Sequence, residues 1–453
     1  MSITRRTFLS ATAATTALGP QAVLAQAEES TLLAHLNGLL TRNPITTLEN
    51  LAAIRNQSDL SLATSLIFAS RFARGDPGAF DSVLASLTGA DHAGWFEWML
   101  WQEQNPQIAS HLVYYEFKRQ TLFRIDPNWE RFLLPQYVAP DSMRIRFEEL
   151  TWGGVVLDGI PSLDNPDLIT ADEASYLLED DLVFGVSING DTRAYPLRIM
   201  GWHEMFNEVI GGVPVALAYC TLCGAGILFE TQLPSREDPL VFGSSGFLYR
   251  SNKLMFDRQT DSLWNQFTGQ PVSGPLVDSG IELAQRPVVI TEWSRWRADN
   301  PDTRVLSVNT GFARDYGPGV VYRDYFASDD LMFPTLVDET EHRQKSYVFG
   351  VRLAGGAKAY PLEAFEGGRV INDQVGFHNL VLVGDAASRS VRAYDRGDLE
   401  FGQDLSADGV TWTQTEDALV APDGRRAPRV AGHISYWFAW QGYLGSEADL
   451  WRE

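Results

Sequence analysis

The chain repeats itself over a distance of domain size. Val183-Phe184-Gly185-Val186 returns as Val348-Phe349-Gly350-Val351, and Ala194-Tyr195-Pro196-Leu197 returns as Ala359-Tyr360-Pro361-Leu362, both displaced by the same 165 residues. Two words kept in one register mark a structural unit built twice. The register continues: Asn207 answers to Asn372, Gly211 to Gly376 and Phe229-Glu230 to Tyr394-Asp395. After a short deletion Phe242-Gly243 answers to Phe401-Gly402, and Trp264 more loosely to Trp412. Around these words run short apolar stretches separated by Gly, Pro, Asn and Asp, the texture of β-rich lobes.

Ahead of the repeat the pattern is helical. Apolar residues recur at three- and four-residue steps, as in Leu60, Leu62, Ala63, Leu66 and Ile67, and Gly75-Asp76-Pro77-Gly78 is a turn. Trp95, Phe96, Trp98 and Trp101 share this spacing and read as a packing face; a stacking platform for a ligand is the sharper alternative. The expected fold is therefore α+β. It has a helical domain over 28–135, a first β-rich lobe over 136–308, a linker or crossing strap over 309–347, and a second β-rich lobe over 348–453.

Residues 1–27 read as an export signal. Thr4-Arg5-Arg6-Thr7-Phe8-Leu9 sets an arginine pair before an Ala/Thr-rich apolar stretch that ends in the small-x-small sites Val23-Leu24-Ala25 and Ala25-Gln26-Ala27. The expectation is passage through the twin-arginine translocation machinery to the periplasm or beyond. Cleavage would remove two arginines and no acid from a chain whose net charge is already −22. Such a field repels nucleic acid and anionic lipid. No later segment reaches the roughly 18 apolar residues of a membrane span, so no insertion is expected after cleavage.

The repeat also separates scaffold from chemistry. Residues kept in both lobes serve the fold; residues found in one lobe are free of that demand. The first lobe has His203 where the second has Gly368, and Cys220 and Cys223 where the second has Asp385 and Ser388. These two are the chain's only cysteines. They close a strand-turn-strand tip, Val213–Tyr219 running into Cys220-Thr221-Leu222-Cys223-Gly224 and on into Ile227-Leu228-Phe229.

Three chemistries fit this tip. Cys220, Cys223 and His203 supply two thiolates and an imidazole, a soft donor set for zinc or copper with one position open. Glu204 would then serve as an acid-base group or support a ligand, with Asp257 as a further catalytic carboxylate. His203-Glu204 is not a metalloprotease motif, because its second histidine position holds Asn207. The second chemistry is a redox dithiol, one cysteine attacking and the other resolving. The third is a plain disulfide, a staple worth only about 2 kcal/mol for so short a loop. A non-catalytic scaffold holding a glycan or protein on its tryptophans and acidic surface is the alternative from another class. The residues name no substrate.

Several segments together resemble the domain of unknown function 3179 family. They are Asp158-Gly-Ile-Pro161, Arg193-Ala-Tyr-Pro-Leu197, Trp202-His-Glu204 with Asn207, Tyr219-Cys-Thr-Leu-Cys-Gly224, Phe242-Gly-Ser-Ser-Gly246, Met255-Phe-Asp-Arg258, Ser262-Leu-Trp-Asn-Gln266 and the closing Tyr436-Trp-Phe-Ala-Trp440. One departure is Thr221, where the family's pattern often has proline. The resemblance implies that His203, Glu204, Cys220 and Cys223 occupy the family's own motif positions. It implies no reaction.

Overall fold

A computed structural model describes residues 20–453; the arginine pair and most of the apolar stretch read as an export signal lie outside them, and the expected cleavage sites fall in the helix Pro20–Gly38. The chain divides into two compact units. The first holds residues up to Gly94 with Ala109–Lys118, and the second holds Trp95–Ile108 with Arg119–Glu453.

The first unit is helical. Pro44–Arg55 and Pro77–Thr88 begin on Asn43 and Asp76, whose side chains accept the backbone N–H groups of Ile45 and Gly78, with proline at the first helical position. Leu36, Leu51, Ile54, Leu66, Ile67 and Leu84 form the buried interior. The second unit takes the tryptophan helix Gly94–Gln104 from Trp95 on, in which Trp98 is fully buried, and the end of the helix Val113–Ile125, and then turns to strands. The change from helical to β-rich falls where the sequence texture changes.

Strands Leu182–Ile188 and Asp191–Pro196 pair as a hairpin, flanked by antiparallel Val289–Glu292 and by parallel Arg304–Leu306. Tyr347–Leu353 and Gly356–Pro361 pair in the same way, flanked by antiparallel His433–Tyr436 and by parallel Ala448–Leu450. A three-strand meander follows each hairpin, through Met205–Ile210, Val213–Cys220 and Ala225–Glu230 in one case and Arg369–Val375, His378–Asp385 and Ser390–Asp395 in the other.

Contacts match as well as strand order. Asn207 bonds the backbone of Phe242 through both amide atoms, and Asn372 bonds Phe401 in the same way. Tyr195 donates to Glu208, which also takes Arg193; Tyr360 donates to Asp373, which also takes Lys358. Trp296 lies so close over Gly185, and Trp440 over Gly350, that a Cβ on either glycine would come within 2.3 or 2.0 Å of an indole carbon. Phe184, Phe206 and Leu217 share one apolar core with Phe349, Ile371 and Leu382.

Candidate functional site

Strands Val213–Cys220 and Ala225–Glu230 pair to their ends, with Cys220 opposite Ala225. Thr221–Cys223 between them wind into one 3-10 turn, closed by Gly224 at φ 61°. Glycine adopts that left-handed backbone without strain. The winding brings both cysteines to one side of the turn, their Sγ atoms 2.8 Å apart, as free and buried thiols. Gln266 ties the two strand ends together, its Nε2 donating to the carbonyls of Ala218 and Ala225 at 2.6 and 2.8 Å.

Beside the turn lies a buried ion pair. The helix Leu197–His203 ends at Glu204, which takes φ 54°, and its carbonyl accepts the N–H of Tyr219 at 2.8 Å. A non-glycine residue there is uncommon and held by its surroundings. Its Oε1 accepts from Thr221 Oγ1 at 2.7 Å and from the Tyr322 hydroxyl at 3.4 Å. Its Oε2 faces Lys253 Nζ at 3.2 Å, with only 7% and 4% of the two side chains exposed. Burial first, then the hydrogen bond between the two thiols, raises the pKa of the Cys223 thiol well above its ordinary value, so it is protonated at neutral pH. The charge of Glu204, then burial, raises Tyr322 in the same sense.

His203 faces other partners. Its Nδ1 lies 2.9 Å from the Pro161 carbonyl and its Nε2 lies 2.6 Å from the Tyr316 hydroxyl. A carbonyl only accepts, so Nδ1 carries the proton and Nε2 accepts from Tyr316. Burial lowers the pKa of the ring and favours that neutral form. Among the described residues no three His, Cys, Asp or Glu side chains are placed together to hold a metal. Asp257, at the far end of the strand Asn252–Asp257 from Lys253, accepts from the backbone and hydroxyl of Thr260 and from the Trp264 indole at 2.6, 2.7 and 2.8 Å. Its carboxylate orders a turn. The structure thus brings Cys220, Cys223 and Glu204 together and sets His203 and Asp257 on other partners.

The stretch expected as linker or strap supplies much of the site. Tyr316 holds His203, Tyr322 reaches Glu204, and the Tyr325 hydroxyl donates to the Leu222 carbonyl at 2.7 Å. Sequence reasoning did not single out these tyrosines, nor Lys253. The signal for Lys253 was there: one cation ahead of Leu254-Met255-Phe256, in a strand buried throughout.

A family model described as Protein of unknown function (DUF3179) matches residues 157–447, which include every residue of this site. No curated protein and no solved structure matches the chain.

Proposed function

The chain belongs to this family of unknown function, and we propose that Cys220 and Cys223 are a redox-active dithiol that exchanges with a substrate disulfide, in a protein exported by the twin-arginine route. The observation that carries the reading is the 2.8 Å approach of two buried free thiols across one turn.

The exchange balances without a further reagent. Cys220, the less buried of the two, attacks one substrate sulfur as its thiolate, and the substrate's other sulfur leaves. Cys223, protonated until then, passes its proton to the first sulfur as it attacks Cys220 and displaces it. One disulfide breaks and one forms, and the two cysteine protons end on the two substrate sulfurs. The Glu204–Lys253 pair, fastened to the turn through Thr221, supplies the fixed charge beside the thiols.

Trapping tests this order. Cys223→Ser treated with oxidised glutathione is expected to accumulate a mixed disulfide on Cys220, visible by mass spectrometry, whereas Cys220→Ser accumulates little. Equal trapping by both variants, or by neither, contradicts the reading.

The metal proposal, zinc or copper on Cys220, Cys223 and His203, is favoured by the two soft donors on one turn. It requires His203 to release Tyr316. Metal content that is equal in wild type and in Cys220→Ala/Cys223→Ala would dismiss it.

We also read the two lobes as one duplicated unit, supported by the paired asparagine, tyrosine and glycine-tryptophan contacts. On that reading the second lobe keeps the scaffold without the thiols.

A further inference from the structure

A cleft of about 430 Å3 opens beside the dithiol turn, with Tyr219 and Gly224 in its wall and Tyr347, Tyr436 and Arg389 facing them. Arg389 stands where the 165-residue register places the counterpart of Gly224. It takes φ 54°, a backbone that a large side chain adopts at a cost. Its guanidinium lies over the Tyr347 ring, 4.6 Å from the centroid, and donates to the Tyr347 hydroxyl at 3.1 Å, which in turn meets the Tyr436 hydroxyl at 3.1 Å. Among the described residues no carboxylate pairs with Arg389. By contrast Arg198, in the same cleft, is paired with Asp181. Asp180 and Asp329 also line the cleft, both exposed and neither within salt-bridge distance of a cation among the described residues, though the charge of Asp329 is felt by Lys345.

An unpaired guanidinium backed by hydroxyls is a carboxylate receptor. Lys345, also in the wall, is turned onto the Tyr325 ring and the carbonyls of Tyr325 and Ser328, so the exposed carboxylates disfavour a multiply charged anion such as phosphate and suit an ammonium group. We propose that this cleft binds a small zwitterionic thiol or disulfide of amino-acid type, its carboxylate on Arg389 and its ammonium toward Asp180 and Asp329. The identification of the ligand as a thiol or disulfide rests on the dithiol reading; the recognition of a zwitterion does not.

Calorimetric titration of Cys220→Ser/Cys223→Ser, which cannot exchange disulfides, tests the cleft alone. S-methylcysteine is expected to bind saturably in the millimolar range or tighter, its desamino analogue more weakly, and inorganic phosphate not measurably. Adding Arg389→Gln should weaken S-methylcysteine about tenfold or more, with Arg389→Lys between the two. Asp180→Asn/Asp329→Asn should abolish the preference for the zwitterion over its desamino analogue. Absence of binding, phosphate binding as tightly, or full affinity in an Arg389→Gln variant whose melting is unchanged would each overturn the proposal. A redox-inert cysteine pair with this binding intact would remove the dithiol reading and leave the receptor standing.

Discussion

Glu204 and Lys253 are each other's only charged partner within salt-bridge distance among the described residues, and both side chains are almost wholly enclosed. Removing one charge of such a pair costs far more than removing both, because the survivor stays buried without compensation. Lys253→Met should lower the unfolding free energy by about 3 to 5 kcal/mol in urea titrations. Glu204→Gln/Lys253→Met should recover a good part of that loss. A double variant no better than the single would show that the pair is not what holds this region. His433 gives a second test. Burial, then the charge of Arg352, lowers its pKa to about 3, against 6.5 for an unconstrained ring. Between those values the unfolded chain binds a proton that the folded chain refuses, so stability falls as pH falls from about 6.5 to about 3. In His433→Asn that share of the acid slope should vanish, and coincident pH profiles of the two folded proteins would refute the assignment. At this scale the cysteines and Glu204 were legible because spacing and neighbouring residues carry them. The partner of His203 was not, because Pro161 and Tyr316 lie far from it in the chain and no local pattern announces which way a ring turns.

The stretch between the lobes looks like a linker because its Gly-Pro-Gly and Asp content breaks both helical and strand periodicity. Its tyrosines nevertheless tie it to the site one hydroxyl at a time, at His203, Glu204 and Leu222. Tyr322→Phe/Tyr325→Phe removes two of those ties. It should speed labelling of Cys220 by iodoacetamide about tenfold through easier local opening. An unchanged labelling rate would mean the strap does not guard the thiols. The hairpins offer a complementary check on the lobes. Gly185→Ala and Gly350→Ala each drive a methyl into a buried tryptophan, and each should cost about 1 to 3 kcal/mol by overpacking. Similar losses in chemical denaturation are the expected result, whereas a neutral change at one site would show that its tryptophan can move. The repeat words pointed to these hairpins because glycine, tyrosine and proline are confined there by close packing. The helices of the first unit were legible from period alone.

Across the whole molecule, the proposed location and the proposed chemistry bear on each other, since an exported protein meets disulfides that a cytosolic one seldom does. Arg5→Lys/Arg6→Lys should keep the protein in the cytoplasm of an expressing bacterium with a functional twin-arginine system, checked by fractionation. Continued export of that variant would contradict the signal reading. No helix among the described residues is long and apolar enough to cross a membrane, and the net charge of −22 opposes attachment to anionic lipid. Redox activity of the Cys220–Cys223 pair is read by equilibrating the purified protein in graded thiol-disulfide buffers, followed by alkylation and mass spectrometry. The expected result is a reversible two-electron transition at a potential above about −300 mV, the region of exchangeable rather than structural disulfides. A pair that stays reduced under every oxidising buffer while folded, or one locked as a disulfide below that potential, would contradict it.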